Sequence, residues 1–183
     1  MNSNHQIHHR RSIRLKEYDY SQEGGYFVTI CTHNRECNFG NVAEGEIKLS
    51  DVGKIVEENW KNLPAHFHNV TLDGFVVMQN HLHGIIWIQN DGRGLINQTP
   101  TDKWILMKNP RQTLGKIIRS YKAKTTKILH DSGYPEFQWQ KNYYEHIIRG
   151  EKDLRNIREY IQNNPWQWYY DAENPNNIKA RFV

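Results

Sequence analysis

The sequence predicts an α+β fold in which a central antiparallel sheet is flanked by helices. Strand-like and helix-like segments interleave along the chain, and adjacent strand-like segments are close enough to be joined by hairpin turns. At 183 residues the chain is long enough for one domain with a hydrophobic core. We therefore expect a single domain over residues 1–183, with a basic N-terminal arm over about residues 1–19 and a C-terminal tail over about residues 169–183.

The first half of the predicted domain contains two strands and one helix. Residues 26–32 (YFVTICT) are rich in β-branched and aromatic side chains and follow two glycines, which predicts a strand entered from a turn. Residues 45–50 form a short alternating strand, and Ser50 is a suitable N-cap for a helix over residues 51–63. Pro64 is expected to end that helix.

Two strand-like segments follow, residues 70–78 (VTLDGFVVM) and 81–89 (HLHGIIWIQ), with only Gln79 and Asn80 between them. So short a connection predicts an antiparallel hairpin. Residues 90–110 are rich in Gly, Pro, Asn and Asp, which predicts a long surface connection inside the same domain.

The remainder of the chain predicts two helices around a strand region. Residues 111–130 carry apolar side chains at helical spacing, and residues 137–150 (FQWQKNYYEHIIRG) are strand-like up to the break at Gly150. Helical spacing returns over residues 151–164. We expect Pro165 to end this helix, because a residue before proline is driven out of the helical conformation.

Positive charge is concentrated at two places in the chain. The net charge of +4 and the isoelectric point near 9.0 are compatible with a polyanionic partner but do not require one. The N-terminal arm is basic up to the first acidic residue, Glu17, and the helix predicted over residues 111–130 has a basic outer face. The side chains concerned are Arg10, Arg11, Arg14 and Lys16 in the arm, and Lys116, Arg119, Lys122 and Lys127 on the helix.

Composition argues against membrane and secreted proteins. No apolar run approaches the roughly 20 residues of a membrane-spanning helix, and the N-terminus lacks the apolar stretch of a secretion signal. The two cysteines, Cys31 and Cys37, match neither a disulfide framework nor the spacing of a zinc site. We therefore expect a cytoplasmic protein with no membrane partner.

His81 and His83 are candidate metal ligands. Residues two apart in a strand project from the same face, roughly 7 Å apart along the strand, so the two imidazoles could share one cation. A His-x-His pair is weak evidence by itself, and the chain contains a second one, His66 and His68. That pair follows Pro64 between a helix and a strand, where no regular backbone aligns the rings, and we interpret it as surface polar residues.

Tyr160 and Asn164 form a second candidate pair within the segment YIQNNP. They are four residues apart in a predicted helix and therefore lie on one face, about a turn apart. This spacing would place a hydroxyl beside an amide oxygen at the margin of the helix's apolar stripe. The alternative roles are ordinary ones, a tyrosine packed at the edge of the core and an asparagine at a helix end.

These motifs together resemble a known family. MQNHLHGIIW, followed about eighty residues later by YIQNNP, resembles the single-tyrosine HUH transposases of the insertion-sequence type, and especially their REP-associated tyrosine transposase branch. The blocks RRSIRLKEYDYSQEGGYFVTICTHNR and FQWQKNYYEHIIRGEKDLRNIREYIQNNPWQW extend the resemblance over most of the chain from about Arg10 to Trp168. The family usually has proline at the position of Gln79, which shapes the turn and supplies no ligand.

The resemblance implies a ferredoxin-like or RRM-like HUH nuclease fold and assigns roles to four residues. Tyr160 corresponds to the nucleophile, and His81, His83 and Asn164 correspond to the metal ligands. Two imidazoles and an amide oxygen suit Mg²⁺ or Mn²⁺ and leave coordination positions for a phosphate and water. The implied reaction is attack of Tyr160 on single-stranded DNA, which leaves a 5′-phosphotyrosine and a free 3′-hydroxyl.

The resemblance also implies a partner, hairpin-forming or palindromic DNA, and a monomer rather than a homodimer. Basic side chains would contact phosphates and aromatic rings would stack on unpaired bases. The candidate phosphate contacts are Arg10, Arg14, Lys16, Arg119 and Lys122. The candidate stacking residues are Trp139, Trp166 and Trp168, although packing in the core is the commoner role for such side chains.

Three alternatives stay open at this point. A non-catalytic single-stranded DNA- or RNA-binding module has a similar plan, although the chain contains no RNP-like Gly-Phe-x-Phe strand. A metal-dependent hydrolase would use water and form no covalent adduct, and a domesticated transposase would cut DNA without moving.

Tyr143 and Tyr144 are alternative nucleophiles, but neither has an amide ligand one helical turn away.

Overall fold

The computed structural model describes residues 18–89 and 112–177. Its strands are β1 (Gly24–Cys31), β2 (Gly40–Ala43), β3 (Glu46–Leu49), β4 (Val70–Val77), β5 (His81–Ile88) and β6 (Tyr144–Ile147). Its helices are α1 (Asp51–Lys61), α2 (Leu63–His66), α3 (Leu114–Asp131) and α4 (Glu151–Gln167). Four strands form an antiparallel sheet in the order β4-β5-β1-β6, and β2 and β3 form a separate hairpin.

The centre of the sheet is the pair β1 and β5, which is antiparallel along eight residues, from Gly24 opposite Ile88 to Cys31 opposite His81. β4 pairs with the other edge of β5, and the turn between them is closed by a hydrogen bond from the Met78 N–H to the His81 carbonyl. The hairpin expected around residues 79 and 80 is therefore confirmed, and so is the α+β fold with an antiparallel sheet flanked by helices.

Side chains alternate along the strands and divide the sheet into two faces. On one face, Tyr26, Val28 and Ile30 of β1 join the main hydrophobic core, together with residues of α1 and α3. α1 and α3 also pack against each other on this face. On the other face, Ile85 of β5 packs against Leu154 of α4. We call these the core face and the α4 face.

Local sequence accounts for where the main helices begin. The Ser50 hydroxyl accepts a hydrogen bond from the Gly53 N–H and caps α1, and the Thr113 hydroxyl caps α3 in the same way. α4 starts after Gly150, whose φ of 87° is readily adopted only by glycine. The starts predicted from Ser50 for the first helix and from Gly150 for the last helix are therefore confirmed.

The end of α4 corrects the prediction made from Pro165, because the helix continues through the proline to Gln167. Proline lacks only its own N–H, so the helix loses one hydrogen bond to the carbonyl of Ile161. The last turn is closed instead by the Trp168 N–H, which donates to the Pro165 carbonyl.

Two smaller differences concern the first half of the chain. The prediction that the first helix runs to residue 63 and is ended by Pro64 is wrong: α1 ends at Lys61, and Pro64 lies in the first turn of α2, where a missing N–H costs nothing. The sequence did not predict β2, which completes a hairpin with β3. The basic arm up to residue 17 and the connection predicted over residues 90–110 lie outside the described residues.

None of the helices in residues 18–89 and 112–177 combines the length and the apolar character that a bilayer crossing demands.

The contact between β5 and α1 yields a test of the core. A Cβ atom added to Gly84 would lie 2.4 Å from the Trp60 ring, whereas one added to Gly74 on β4 would lie 3.9 Å from its nearest neighbour. We expect Gly84→Ala to lower the free energy of unfolding by about 1–3 kcal/mol, because Trp60 is fully buried and has no room to move. Gly74→Ala should change it by less than about 0.5 kcal/mol. Urea denaturation of both variants measures the difference, and equal losses would contradict the packing described for β5.

Candidate active site

His81 and His83 project from β5 onto the α4 face of the sheet, and both side chains are buried. Their Nε2 atoms are 2.9 Å apart. The Nδ1 atom of His81 lies 2.8 Å from the side-chain oxygen of Asn80, and the Nδ1 atom of His83 lies 2.8 Å from the hydroxyl of Thr29. Each ring therefore has a polar partner on one nitrogen and turns its other nitrogen toward a shared point.

Burial keeps the imidazoles of His81 and His83 uncharged by lowering their pKa values. It lowers the pKa of His81 to about 3, with a smaller contribution from Arg35. Burial, followed by the neighbouring His81, holds the pKa of His83 well below its ordinary value. Both rings are thus neutral near pH 7, and a neutral imidazole is the form that binds metal ions.

Tyr160 projects from α4 toward the same point. Its hydroxyl lies 3.1 Å from the Nε2 atom of His83, and its ring packs edge-on against Phe27 of β1. The side chain is still 39% exposed, so an external molecule can reach it. Burial raises the pKa of Tyr160 to about 12, and the negative charge of Asp171 contributes to the rise. The hydroxyl is therefore held at the site in its protonated form.

Asn164 lies one turn after Tyr160 on α4 and is completely buried. Its Nδ2 atom donates a hydrogen bond of 3.1 Å to the carboxylate of Asp171. Within the described residues, its Oδ1 atom has no hydrogen-bond partner. A buried amide oxygen without a donor is costly unless a further group, such as a cation, binds to it.

Asp171 is a site residue that the sequence reasoning missed. It follows a 3-10 turn, Trp168–Tyr170, and its carboxylate and the ring nitrogens of His81 and His83 all lie within 4.8 Å of one another. The sequence predicts a C-terminal tail over about residues 169–183, yet Asp171 is buried, and the side chain of Asn80 donates a hydrogen bond to the carbonyl of Glu173 two residues later. No periodic pattern marks this segment, and an acidic residue seven positions after Asn164 was the only available signal.

The donor atoms collected here fit a divalent cation. Two neutral imidazole nitrogens, a carboxylate and a partnerless amide oxygen make a mixed nitrogen and oxygen set of the kind that binds divalent cations. The His81, His83 and Asp171 group could therefore hold a metal ion, with Asn164 adjacent to it. Cys31 is buried nearby, but its thiol faces Glu173 and the pKa of the thiol is raised by burial.

Two of the five predicted DNA contacts fall within the described residues, and neither lies at this site. Arg10, Arg14 and Lys16 lie outside the described residues. Arg119 is exposed on α3, which covers the core face rather than the α4 face. Lys122, also on α3, donates hydrogen bonds to the backbone carbonyls of Gln140 and Asn142, and burial lowers its pKa to about 8. Their roles in binding DNA stay predictions.

The predicted stacking residues have three different environments. Trp139 packs against the main core, whereas Trp166 is 71% exposed. The ring centroid of Trp168 lies 6.0 Å from that of His81, so this tryptophan borders the site. Tyr169 and Tyr170, which the sequence reasoning did not select, are exposed beside it.

The two alternative nucleophiles are separated by the register of β6. Tyr143 is buried in the main core. Tyr144 is opposite Thr29, which is opposite His83 on the next strand, so Tyr144 shares the α4 face. It is 43% exposed and lies two strands away from His83, whereas the Tyr160 hydroxyl contacts His83 directly.

Two proteins of Haemophilus influenzae are similar to this chain in sequence. No family model matches the chain. A Haemophilus influenzae protein described as uncharacterized is 46% identical over 173 residues, which cover 90% of this chain and 93% of that protein. A putative REP-associated tyrosine transposase of the same organism is 26% identical over 148 residues, covering 80% and 73% of the two chains.

The fold comparison points the same way. The structure of a REP-associated tyrosine transposase bound to a REP hairpin matches with a TM-score of 0.53 and 18% identity, covering 87% of this chain and 76% of that chain. The chain belongs to one family with the 46% identical H. influenzae protein. Its resemblance to REP-associated tyrosine transposases is confirmed, and it shares their fold.

Asp171 provides the sharpest test of the cation site. We expect Asp171→Asn to weaken Mn²⁺ binding at least about tenfold, because the variant loses the carboxylate charge that faces the two imidazoles. Titration followed by Mn²⁺ electron paramagnetic resonance measures the affinity.

Glu173→Gln is the matched control. Glu173 is an acid two residues away, and its carboxylate pairs with Arg35 at 3.1 Å. We expect this variant to bind Mn²⁺ within about threefold of the unmodified chain, because its carboxylate is not among the clustered donor atoms. Equal weakening by both substitutions would show that only the overall charge matters and would exclude Asp171 as a ligand.

Proposed function

We propose that the chain is a metal-dependent tyrosine transposase, which cleaves and rejoins single-stranded or hairpin DNA through a 5′-phosphotyrosine. The observation that carries the proposal is the 3.1 Å contact between the Tyr160 hydroxyl and Nε2 of His83, beside buried His81, Asn164 and Asp171. An exposed hydroxyl next to a candidate cation site is the arrangement that nucleophilic attack on a phosphodiester requires.

A phosphodiester resists attack because its oxygens are negative and the departing sugar oxygen is a poor leaving group. His81, His83 and Asp171, with the oxygen of Asn164, would hold Mg²⁺ or Mn²⁺. When bound, the cation supplies positive charge that offsets the phosphate charge and stabilises the leaving oxygen. The protein contributes a buried setting in which both imidazoles stay neutral.

Tyr160 supplies the nucleophile. The Tyr160 hydroxyl would lose its proton as its oxygen bonds to phosphorus. The bond from phosphorus to the 3′-oxygen would break, and the leaving 3′-oxygen would take up a proton, so that protons balance over the step. The phosphate then joins Tyr160 to the 5′ side of the DNA. Because the phosphotyrosine keeps the energy of the broken bond, a 3′-hydroxyl can reverse the step and rejoin a strand.

The surroundings of Tyr160 support an unpaired DNA substrate. Trp166, Tyr169 and Tyr170 follow it on the same part of the chain and are 71–74% exposed. Exposed rings of this kind stack on unpaired bases, whereas paired bases hide their faces in the duplex. The similar solved protein is described as bound to a REP hairpin, which supports hairpin DNA as the substrate here.

The contact between Tyr160 and His83 also supports a monomer. The nucleophile on α4 and the histidines on β5 come together within one chain. No exchange of α4 with a second copy is needed to complete the site, so we propose that one chain is the active unit. The single domain expected over residues 1–183 agrees with that proposal.

Covalent capture tests the proposed reaction. We expect the unmodified chain, incubated with Mn²⁺ and hairpin oligonucleotides of randomised sequence, to yield a protein–DNA adduct that survives denaturing electrophoresis. Tyr160→Phe should yield no adduct while its stability and Mn²⁺ binding change little, because only the attacking oxygen is removed. Tyr144→Phe is the control on the same face of the sheet and should form adduct normally.

Other outcomes would select the alternative functions. Cleavage without any adduct would identify a hydrolase that uses water, and DNA binding without cleavage would identify a binding module. An adduct that persists in Tyr160→Phe and disappears in Tyr144→Phe would move the nucleophile to β6. The randomised hairpins let the captured DNA identify the sequence that the chain recognises.

A further inference from the structure

Asn80, in the turn between β4 and β5, makes three side-chain hydrogen bonds. It precedes β5, is fully buried, and its side chain bonds to the neighbouring His81 and to two distant segments, at Arg35 and at Glu173. We propose that Asn80 is a positioning residue, which fixes the proton of His81 and holds the Asp171 segment over the same site. As far as metal binding is concerned, this inference rests on the proposed function.

The orientation of the Asn80 amide follows from its surroundings. Its Nδ2 atom lies 2.8 Å from the carbonyl of Glu173 and 3.1 Å from the carbonyl of Arg35. Carbonyl oxygens only accept hydrogen bonds, so the atom that faces both of them must be the amide nitrogen, which donates two. The amide oxygen therefore faces His81.

That orientation determines the tautomer of His81. The Asn80 oxygen can only accept, so the hydrogen bond of 2.8 Å must be donated by Nδ1–H of His81. In a neutral ring, the Nε2 atom then carries a lone pair, and this atom is the one that faces His83. His83 is not constrained in this way, because its Nδ1 partner is the Thr29 hydroxyl, which can donate or accept.

The two hydrogen bonds that the Asn80 side chain donates act away from His81, and one of them reaches the segment that contains Asp171. Glu173 lies two residues after Asp171, and the Glu173 N–H donates a hydrogen bond of 2.6 Å to the Asp171 carboxylate. The bond from Asn80 to the Glu173 carbonyl therefore holds the short segment that presents Asp171. Arg35 and Glu173 also form a salt bridge of 3.1 Å, but a partly exposed ion pair adds little, so the hydrogen bond from Asn80 to the backbone holds the segment.

One side chain thus couples donors from two distant parts of the chain, His81 on β5 and Asp171 after α4. The position requires one acceptor and two donors on a short side chain, which among the common residues only asparagine provides. Aspartate at this position would keep the acceptor for His81 and lose both donated bonds. Alanine would lose all three, so the two substitutions separate the two roles of Asn80.

The experiment compares Asn80→Asp and Asn80→Ala with the unmodified full-length chain. Long-range ¹H–¹⁵N NMR of the metal-free proteins reports the tautomer of His81. Hydrogen exchange of residues 171–177 reports how firmly the Asp171 segment is held, and Mn²⁺ titration reports metal affinity. Asn59→Asp is the matched control, because Asn59 is a buried asparagine on α1 that donates to the Ile55 carbonyl, away from the site.

The proposal predicts a different pattern for each variant. The unmodified chain and Asn80→Asp should both hold the proton of His81 on Nδ1, and Asn80→Ala should lose this preference. Residues 171–177 should exchange at least about tenfold faster in both Asn80 variants. Asn80→Ala should weaken Mn²⁺ binding about 10- to 100-fold, and Asn80→Asp should weaken it less. Asn59→Asp should leave all three properties at the site unchanged.

Several results would overturn the proposal. One is a proton on Nε2 of His81 in the unmodified metal-free chain, which needs no variant to be measured. Another is unchanged exchange of residues 171–177 in both Asn80 variants. Failure of the proposed function is recognised separately: a chain that binds Mn²⁺ and shows the expected tautomer but forms no DNA adduct would exclude strand transfer and leave the role of Asn80 intact.

Discussion

The candidate site depends on the pairing of β1 with β5. This pairing runs in one register along both strands and sets Leu82 and Ile86 toward the core face, so that His81 and His83 must face α4. A slip of one residue would exchange the two faces of the strand. The hydrophobic effect that buries one face of β5 therefore holds the two histidines on the other, where Phe27 of β1 contacts the rings of His83 and Tyr160.

The α4 face carries groups that would weaken an ordinary core. Two neutral imidazoles, a carboxylate and an amide oxygen without a donor lie where water has little access. Burying such groups is unfavourable unless each is paired or bound to a ligand. The helix α4 packs through Leu154 and keeps the hydroxyl of Tyr160 at the margin of this cluster. A fold that retains this arrangement at the expense of stability is typical of a functional site.

The sequence predicts those parts of the molecule that local patterns determine. The alternation of β1, the hairpin around Asn80 and the apolar stripe of α4 all follow from spacing, and they bring His83 and Tyr160 to one face. Asp171 could not be found in this way, because it reaches the site through an irregular segment whose position depends on contacts with residues about ninety positions earlier. Local sequence rules also could not predict that α4 continues through Pro165. Tertiary contacts can override the helix propensity of a single residue.

The central claim is that His81 and His83 share a cation beside Tyr160. Anomalous X-ray diffraction from crystals soaked in Mn²⁺ tests this directly, because it locates manganese independently of any assay of DNA cleavage. The account predicts one strong anomalous peak bonded to the Nε2 atoms of both histidines, with a carboxylate oxygen of Asp171 in the same coordination shell. Ordered histidines with no peak between them, or a peak bound only to other residues, would contradict it.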